Sequence, residues 1–506
     1  MEELKIYKYD YTNFDTTLVQ KHLFDKYSAG KYTDLNVIKG VFKLLFDVYS
    51  QELDQLIIKY WWMELLDITL SQHNKSVILQ KEWGGVWIVT GAHPIVWKQM
   101  YKYILELIIK HHKILPKSTE ITERIINQIF CLTDEIFRLA NAIANLRFYA
   151  AWWWIELIPK NKIWTTFMNY WNDPAFSYRF YDKASRGMEL YTTKYNDCFS
   201  QYNKELQYPL LNDIFLSNHW FTYEKYLSTC ITFCHESSLS LFPDTYLWNK
   251  YIKEQDLIEI LKSWWLKNKE IDLIISSISL NNENIESREI YKPDADYRFY
   301  ARFLTKTEYE WDVVYFWDPL LAKESFWMII GNFMVWKIPN ELHNTEINNA
   351  VQKLRNKHNK SFEELISNQL EKTRYSGKRW KENEFFNNEV PLILPSEIWE
   401  IDRIGLDPNK QNIMVYEFKT NKLAAVDIQF ANEIQKFTEY WDKFVKKINW
   451  IKANFEEIKE WLCKTNSLKS KNMWLEAFMI TEKPTAYAYF EKRFFVENFC
   501  EMFEKL

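Results

Sequence analysis

The sequence predicts a large, mainly α-helical N-terminal region followed by a C-terminal α/β domain with a mixed central sheet. Three observations lead to this expectation. The chain has only 9 glycines among 506 residues, apolar residues recur at helical spacing over its first half, and strand-like alternation appears near its C-terminus. So few glycines argue against Rossmann folds, propellers and β-sandwiches. A chain of this length can hold about two to four domains.

Charge and composition restrict the classes of function. The net charge of −4 gives no global basic field, so a nucleic-acid partner must be bound through a local patch. The six cysteines are scattered and the N-terminus is polar and acidic, which predicts a reducing, cytoplasmic setting. The most apolar runs are too short to cross a bilayer of about 30 Å, so we expect no membrane partner.

Residues 1–285 are predicted to form a mainly helical domain, whose role is open and whose surface is a candidate for docking a protein partner. Apolar residues fall at helical spacing from Ile38 to Val48 and from Ile104 to Ile108. Residues 121–154 predict one long helix or two in series. One β excursion is expected over Val77–Thr90, with a Gly-Gly turn.

Residues 286–345 are predicted to be a mixed connecting region that is rich in β-structure. The polar segment Asn281–Asp296 marks its start, because it lacks apolar periodicity. Tyr297–Pro339 then alternates aromatic and polar residues, which predicts two or three strands. A further polar segment, Asn340–Lys360, ends the region.

Residues 350–506 are expected to form the compact α/β domain. In order, their pattern predicts a helix, a basic-aromatic turn, a β-hairpin, two helices, a strand, and a short closing strand and helix. The expected helices are Ser361–Thr373, Val426–Lys447 and Trp450–Thr465, and the expected strand is Trp474–Thr481.

The hairpin carries charged residues on otherwise apolar strands. Asp402 lies in its first strand, and Ile413–Phe418 forms its second strand, directly before Lys419. Because side chains alternate along a strand, one face carries Val415, Glu417 and Lys419, and the other carries Met414, Tyr416 and Phe418. Charged groups on such a face are costly unless they are paired, bound to a ligand or used chemically.

These charges suggest a chemistry. Asp402 and Glu417 can approach each other across adjacent strands, and two carboxylates with a backbone carbonyl make an oxygen site suited to Mg²⁺. Lys419, two residues after Glu417 on the same face, can orient a water molecule or stabilise charge that develops on a phosphate.

This arrangement resembles the PD-(D/E)XK, or restriction-endonuclease-like, nuclease superfamily, which includes RecB-type nucleases and archaeal junction resolvases. The matching residues are Asp402 in EIDRI and, one hairpin later, Glu417-Phe418-Lys419 as the E-x-K motif. The literal Pro-Asp pair is missing, because Ile401 precedes Asp402. Pro293-Asp294 offers that pair, but no E-x-K motif follows it at hairpin distance.

The flanking helices agree with the resemblance. The superfamily often has a Phe-Glu pair on the helix before the hairpin, and the acidic residue there is Glu363. RecB-type members carry a Gln followed by a Tyr on the helix after it. Gln435 and Tyr440 fit best, although their gap is one residue longer than usual, and Gln429 is the alternative.

The resemblance covers about residues 361–506 and none of the first 340. It implies a metal-dependent nuclease that hydrolyses phosphodiester bonds in nucleic acid, with DNA favoured, and with Mg²⁺, or Mn²⁺ in its place, as cofactor. The implied metal ligands are Asp402, Glu417, the carbonyl of Phe418, and Glu363. The implied catalytic residues are Asp402, Glu417, Lys419, Glu363 and Gln435. The alternatives are an inactive nuclease-fold protein that binds nucleic acid or acts as a scaffold, and an unrelated helical assembly factor that lacks the hairpin.

A basic-aromatic cluster precedes the hairpin and is a candidate nucleic-acid-binding surface. Its cationic members are Lys372, Arg374, Lys378 and Arg379, and they are interleaved with Tyr375 and Trp380. Such a cluster can contact phosphates and stack on bases. The alternative is a solvated turn with one buried tryptophan.

The cysteines predict no metal centre. Cys230 and Cys234, which precede His235, lack a second ligand pair nearby and are expected on the apolar face of a helix. Some RecB-type relatives hold an iron–sulfur cluster, but only Cys463 and Cys500 lie near the nuclease segment. Four ligands are needed, so no such cluster is expected.

Overall fold

The protein is described by a computed structural model that covers most of the chain. The described residues are 10–60, 62–82, 94–111, 121–146, 155–157, 209–234, 245–246, 249–285, 302–309, 311–334, 339–372, 376–381, 392–407, 412–421, 427–466, 473–483, 485, 487–490 and 495–505. They fall into two compact units, the first extending to Leu354 and the second starting at Arg355. The boundary between the units lies within one helix, Thr345–Lys372.

The first half of unit one is helical, as predicted. Its helices are α1 (Thr17–Lys26), α2 (Leu35–Lys59), α3 (Trp62–Glu82), α4 (Pro94–His111) and α5 (Glu123–Leu146). Asp34 caps α2 by accepting hydrogen bonds from the backbone of Asn36 and Val37, and the apolar stripe from Ile38 to Val48 is buried against α4 and α5. Strands β1 (Gly30–Tyr32) and β2 (Ile155–Leu157) pair antiparallel.

The predicted β excursion over Val77–Thr90 is wrong for its first residues. Val77 to Glu82 belong to α3, whose buried positions Thr69, His73, Ser76 and Val77 follow helical spacing. A strand would place alternate residues inside, whereas the buried positions from Thr69 to Val77 do not alternate. The remainder of the excursion lies outside the described residues.

The second half of unit one combines helices with a five-stranded sheet, in the strand order β3-β4-β7-β6-β5. The strands are β3 (Thr245–Tyr246), β4 (Asn249–Lys253), β5 (Ser279–Leu280), β6 (Leu304–Tyr309) and β7 (Asp312–Trp317). The helices are α6 (209–219), α7 (Tyr223–Thr232), α8 (Glu254–Ser263), α9 (Asn268–Ile278) and α10 (Pro319–Met334). Cys230 and Cys234 pack in the core of this half, as predicted.

The predicted connecting region is only partly strand. Two strands, β6 and β7, lie within Tyr297–Pro339 as expected, but residues from Pro319 onward form α10. Asp318 fixes the start of this helix, because its carboxylate accepts the backbone N–H groups of Leu320 and Leu321. Strands from both sides of the predicted division at residues 285 and 286 pair in one sheet, since β4 joins β7 and β5 joins β6.

A buried charge cluster joins α3, α4 and α10 within unit one. The Glu324 carboxylate contacts His73 Nε2 at 3.3 Å, Lys102 Nζ at 3.0 Å, and Lys98 Nζ. Although burial raises the pKa of Glu324, Lys102, His73 and Lys98 together hold it below its ordinary value. Two lysines thus face one carboxylate, and His73 also interacts electrostatically with Asp318.

Unit two contains a second five-stranded sheet, in the order β12-β11-β10-β9-β8. Its strands are β8 (Ser376–Lys381), β9 (Glu400–Asp407), β10 (Asn412–Lys419), β11 (Leu475–Thr481) and β12 (Phe495–Asn498). Its helices are α11 (Thr345–Lys372), α12 (Asp427–Ala453), α13 (Phe455–Thr465), α14 (Tyr487–Phe490) and α15 (Phe499–Lys505). Strands β8, β9 and β10 are antiparallel, and β11 and β12 continue parallel to β10, so the sheet is mixed, as predicted.

Two of the expected elements in this unit need correction. The first helix begins at Thr345, not at Ser361, and continues through the polar segment that was expected to end the preceding region. The basic-aromatic segment is a strand, β8, and not a turn, because it pairs with β9 from Ser376 to Lys381.

The two faces of the sheet bury different sets of side chains. Ile413 and Val415 pack in one core with α12, while Met414, Tyr416 and Phe418 pack in another core with α11 and α15. This confirms the predicted alternation along β10. None of the described helices is both long enough and apolar enough to cross a membrane.

Candidate active site on the β9–β10 hairpin

A bulge in β9 shapes the surroundings of Asp402. In the pairing with β8, Lys378 lies opposite Ile404 and Trp380 lies opposite Ile401, so β9 advances three residues while β8 advances two. The extra residue explains why Ile401 and Ile404 both enter the core shared with α12. Bulges commonly re-aim side chains beside functional sites. Asp402 lies in this bulge.

Glu417 and Lys419 project together from the end of β10. Lys419 Nζ lies 2.6 Å from Glu417 Oε1 and 3.1 Å from the carbonyl oxygen of Phe418. Asp402 Oδ2 accepts the backbone N–H of Phe418 at 2.7 Å and lies 4.0 Å from Lys419 Nζ. The Lys419 ammonium also lies over the ring of Tyr440 on α12, 5.4 Å from its centroid. The structure therefore brings Asp402, Glu417, Phe418 and Lys419 together.

The electrostatics of the two carboxylates differ. Burial, and then the charge of Glu417, raise the pKa of Asp402 to about 7. Burial acts in the same sense on Glu417, but Lys419 and a second lysine, Lys447, outweigh it and lower the pKa of Glu417. For Lys419, burial is outweighed by Glu417 and Asp402, which raise the pKa of its ammonium. Asp402 is thus the group that lacks enough positive charge around it.

Lys447 is a site residue that the sequence reasoning missed. Its Nζ lies 2.6 Å from Glu417 Oε2, and its side chain is only 10% exposed. One signal could have revealed it. Glu433, Phe437, Phe444 and Lys447 follow one another at helical spacing along α12, and all are buried, so the lysine belongs to the inward stripe of the helix.

Glu363 lies beside the site but contacts a different partner. It is on α11, where it forms an ion pair with Arg379 Nη1 at 3.1 Å, and Arg379 also bonds to Glu400. The pKa of Glu363 is raised overall, chiefly by burial. Glu400 and Glu417 raise it as well, while Arg379 and Lys419 lower it. Glu363 therefore interacts electrostatically with the hairpin residues, and Arg379 holds its carboxylate.

The predicted glutamine is not on the inward stripe of α12. Gln435 is exposed to solvent, whereas Tyr440 lies beneath Lys419. The side chain of the alternative, Gln429, lies outside the described residues. The tyrosine of the predicted pair thus contacts the site, and the glutamine faces outward.

The basic-aromatic cluster is divided by β8. Lys378 lies over the rings of Trp380 and Trp461, whereas Arg379 pairs with carboxylates on the side of α11. Lys372 is exposed at the end of α11, and Arg374 lies outside the described residues. The guanidinium of Arg379 also interacts electrostatically with Asp402, which helps to raise its pKa.

Polar residues continue beyond the carboxyl ends of β10 and β11. Glu482 donates its backbone N–H to the carbonyl of Lys419 at 3.0 Å, and its carboxylate lies 3.2 Å from His358 Nε2 on α11. Asn421 Oδ1 accepts the backbone N–H of Lys483 at 2.9 Å. Ligands of α/β sheets bind outside the carboxyl ends of parallel strands, and this edge carries the site's polar groups.

The oxygen atoms at the hairpin suit a hard cation. Asp402 and Glu417 are carboxylates on neighbouring strands, with side chains 9% and 5% exposed, and the carbonyl of Phe418 belongs to the residue directly after Glu417. The raised pKa of Asp402 indicates that a proton or a cation there relieves the repulsion between the two acids. In the part of the chain that the structure describes, no group of three or more His, Cys, Asp or Glu residues is arranged to hold a metal.

No protein-family model, no curated protein and no solved structure matches this chain.

Proposed function

We propose that the second unit is a metal-dependent nuclease, which hydrolyses phosphodiester bonds in nucleic acid, with DNA as the favoured substrate. One observation carries the proposal: Asp402, Glu417, the Phe418 carbonyl and Lys419 meet at one end of the β9–β10 hairpin. The order of helix, hairpin, helix and strand agrees with the superfamily resemblance, which supports a restriction-endonuclease-like fold for this unit. The site also lies at the carboxyl end of β10, and α/β sheets commonly bind ligands at the carboxyl ends of their strands.

Each residue of the site has a role in this mechanism. Asp402, Glu417 and the Phe418 carbonyl would hold Mg²⁺ or Mn²⁺, and such an ion would supply Lewis-acid chemistry, namely activation of a water molecule and polarisation of the scissile phosphate. Lys419, whose ammonium stays charged, orients Glu417 and stabilises negative charge that develops on the phosphate. Tyr440 supports the Lys419 ammonium from the side of α12. Glu363 contributes through its charge, and Arg379 holds it in place.

A cleavage assay tests the proposal. The full chain is incubated with labelled single-stranded, duplex and branched DNA and with RNA, in Mg²⁺, in Mn²⁺ or in EDTA. We expect metal-dependent cleavage that falls at least about 100-fold in Lys419→Ala, because a charge that acts in the transition state is removed. Lys443→Ala, which removes an exposed lysine from α12, is the control and should cleave like the parent.

A second candidate function is favoured by one observation. Both carboxylate oxygens of Glu417 are already bonded to lysines, as expected of a nuclease fold that binds nucleic acid without turnover. In that case the assay shows no cleavage with any metal, and nucleic-acid binding is the same in Mg²⁺ and in EDTA. That outcome contradicts the nuclease mechanism.

A further inference from the structure

Two ammonium groups converge on one carboxylate at the hairpin. Lys419 contacts Glu417 Oε1 and Lys447 contacts Glu417 Oε2, each at 2.6 Å. Lys419 follows Glu417 on the same strand, whereas Lys447 reaches it from α12. The side chains of Glu417 and Lys447 are 5% and 10% exposed, so water screens this contact very little.

The charges explain why the second lysine is present. When both acids are ionised, Asp402 and Glu417 carry two negative charges, which equal the two positive charges of Lys419 and Lys447. A buried carboxylate that loses its partner is costly. If a divalent cation enters the same site, two ammonium groups and the cation face two carboxylates, and the positive charges repel one another.

We propose that Lys447 is a positioning residue that takes the place of a cation at Glu417 Oε2 and competes with the divalent metal for that oxygen. The inference rests on the proposed function, because it concerns the same metal site. Lys419 keeps its contact with Glu417 Oε1, while the Lys447 ammonium leaves Oε2 as the metal binds. Lys447 thereby keeps the metal-free site neutral and makes metal affinity depend on its own displacement.

Metal affinity is the property that tests this role, without any need for cleavage. Mn²⁺ is titrated into the full chain by calorimetry, for the parent, Lys447→Met and Lys446→Met. Lys446 is the matched control, since it is the next residue of α12 and is exposed. We expect Lys447→Met to bind Mn²⁺ about tenfold more tightly than the parent, within the usual range of coupling between two ligands of one site. Lys446→Met should match the parent.

Thermal unfolding supplies a second readout. Lys447→Met should unfold at a lower temperature than the parent in EDTA, because Glu417 loses a partner, and should recover most of the difference in Mn²⁺. If Lys447→Met does not fold, Lys447→Gln, which keeps a hydrogen-bond donor without the charge, takes its place in both measurements.

The outcomes separate the two claims. Equal or weaker affinity in Lys447→Met, with a parent that binds Mn²⁺, overturns the role of Lys447 and leaves the nuclease proposal intact. Binding by Lys447→Met alone supports the competition directly. No Mn²⁺ binding by either protein overturns the metal site and the competition together.

A separate observation concerns four tryptophans. Among the described residues, every residue other than glycine with positive φ is a tryptophan: Trp220 (φ 64°), Trp265 (φ 67°), Trp311 (φ 75°) and Trp399 (φ 60°). All four are exposed, by 59%, 89%, 99% and 71% respectively. Left-handed backbone disfavours any residue with a Cβ, and an exposed indole gains no burial in return.

The local structure at these positions is the kind that glycine forms. Trp265 follows the end of α8, where its N–H bonds to Lys262 O at 2.9 Å and the N–H of Leu266 bonds to Leu261 O at 3.4 Å. This is a Schellman motif with the tryptophan in the glycine position. Trp311 lies in the tight turn between β6 and β7, where positive φ again favours glycine.

The composition agrees with this local preference. The chain has 9 glycines and 24 tryptophans, whereas an average chain has about 7% glycine, or roughly 35 in a chain of this length. We infer that these four positions are glycine in the protein made by its natural host. The triplet UGA is read as tryptophan in one variant genetic code and as glycine in another, so a single difference in decoding accounts for the excess and the deficit together.

The coding triplets and the mass of the natural protein test this inference. We expect UGA at the four positions, and glycine masses for the corresponding peptides of protein isolated from the host. Trp441, whose ring is buried in the core, is the control and should have the tryptophan triplet UGG and the tryptophan mass. UGG triplets, or tryptophan masses, at the four exposed positions overturn the inference.

Discussion

Two buried charge clusters, one in each unit, both combine carboxylates with lysines, but they differ in how the charges are paired. In unit one, Glu324 is surrounded by Lys98, Lys102 and His73, and its pKa lies below its ordinary value. In unit two, Glu417 is paired with two lysines, but a second carboxylate, Asp402, lies beside it with a pKa raised to about 7. In the first cluster two lysines face one carboxylate, whereas in the second both lysines bond to Glu417 at 2.6 Å and Asp402 lies 4.0 Å from Lys419.

The difference shows that burial of charge does not by itself indicate chemistry. Glu324 on α10 pairs with Lys98 and Lys102 of α4 and lies beside His73 of α3, so it links these three helices. Two adjacent carboxylates repel each other, and this repulsion is relieved by a proton or by a cation. Charge balance within the cluster therefore distinguishes the candidate metal site from the structural one.

The largest expected effect is the loss of the unit-one cluster. Glu324→Ala leaves buried Lys102 and its neighbour Lys98 without their carboxylate, and we expect this to destabilise α3 and α4 by about 3–5 kcal/mol. Native-state hydrogen exchange of the amides in these helices measures the change. Lys323→Ala, at an exposed neighbouring position, should change protection by less than about 0.5 kcal/mol. A small effect of Glu324→Ala would show that this cluster does not hold α3, α4 and α10 together.

Removing the charge of Asp402 should stabilise the protein, whereas removing Glu324 should destabilise it. In EDTA, Asp402→Asn relieves the repulsion from Glu417 and keeps an oxygen for the Phe418 N–H, so we expect β9 and β10 to gain about 1–3 kcal/mol. The same substitution should abolish metal-dependent protection of these strands, a loss of function accompanied by a gain of stability. Asp442→Asn, at an exposed position on α12, should change neither the stability of these strands nor their metal-dependent protection. Destabilisation by Asp402→Asn contradicts the view that this acid lacks a partner.

The pH dependence isolates the same acid. Asp402 has a folded-state pKa of about 7 and an ordinary value of 3.8, so between these pH values the folded state binds the extra proton. Stability of the parent therefore falls as pH rises from about 4 to 7, by at most roughly 1.4 kcal/mol per pH unit. Glu417, whose pKa is lowered from its ordinary value of 4.5, contributes in the opposite sense, and only at the acidic end of this window. The protection difference between Asp402→Asn and the parent, measured in EDTA at each pH, should grow up to pH 7 and then level off. A constant difference argues against a raised pKa.

The smallest expected effect is at Gln435. Its side chain is exposed on α12, away from the buried stripe that holds Lys447, so Gln435→Ala should change Mn²⁺ affinity and cleavage less than about twofold. A loss comparable to that of Lys419→Ala restores the catalytic role that the superfamily resemblance implies for this glutamine.

Much of the second unit is readable from its sequence, because alternation and helical spacing are local signals. The hairpin, the two faces of β10 and the strand from Leu475 to Thr481 follow from the apolar pattern. The strand character of β8 does not, since its pairing with β9 is a tertiary contact that overrides a polar, turn-like composition. The bulge at Asp402 is also hidden, because it depends on the register between two strands.

Lys447 is the site residue that could not be predicted from the sequence. Sequence spacing placed Asp402, Glu417 and Lys419 together, since all three lie on one hairpin. Lys447 comes from α12, and its approach to Glu417 depends on how that helix packs on the sheet. Its place on a buried helical stripe was readable, but its partner was not.

The most direct test of the central claim is a calorimetric titration of Mn²⁺ into three full-length proteins at pH 8, namely the parent, Asp402→Asn and Glu324→Gln. We predict saturable binding in the parent and in Glu324→Gln, with similar affinity, and none in Asp402→Asn. Only the hairpin cluster has the paired carboxylates that a divalent ion needs. Equal binding by the parent and Asp402→Asn, or no binding by the parent, contradicts the assignment of the β9–β10 hairpin as a metal-dependent active site.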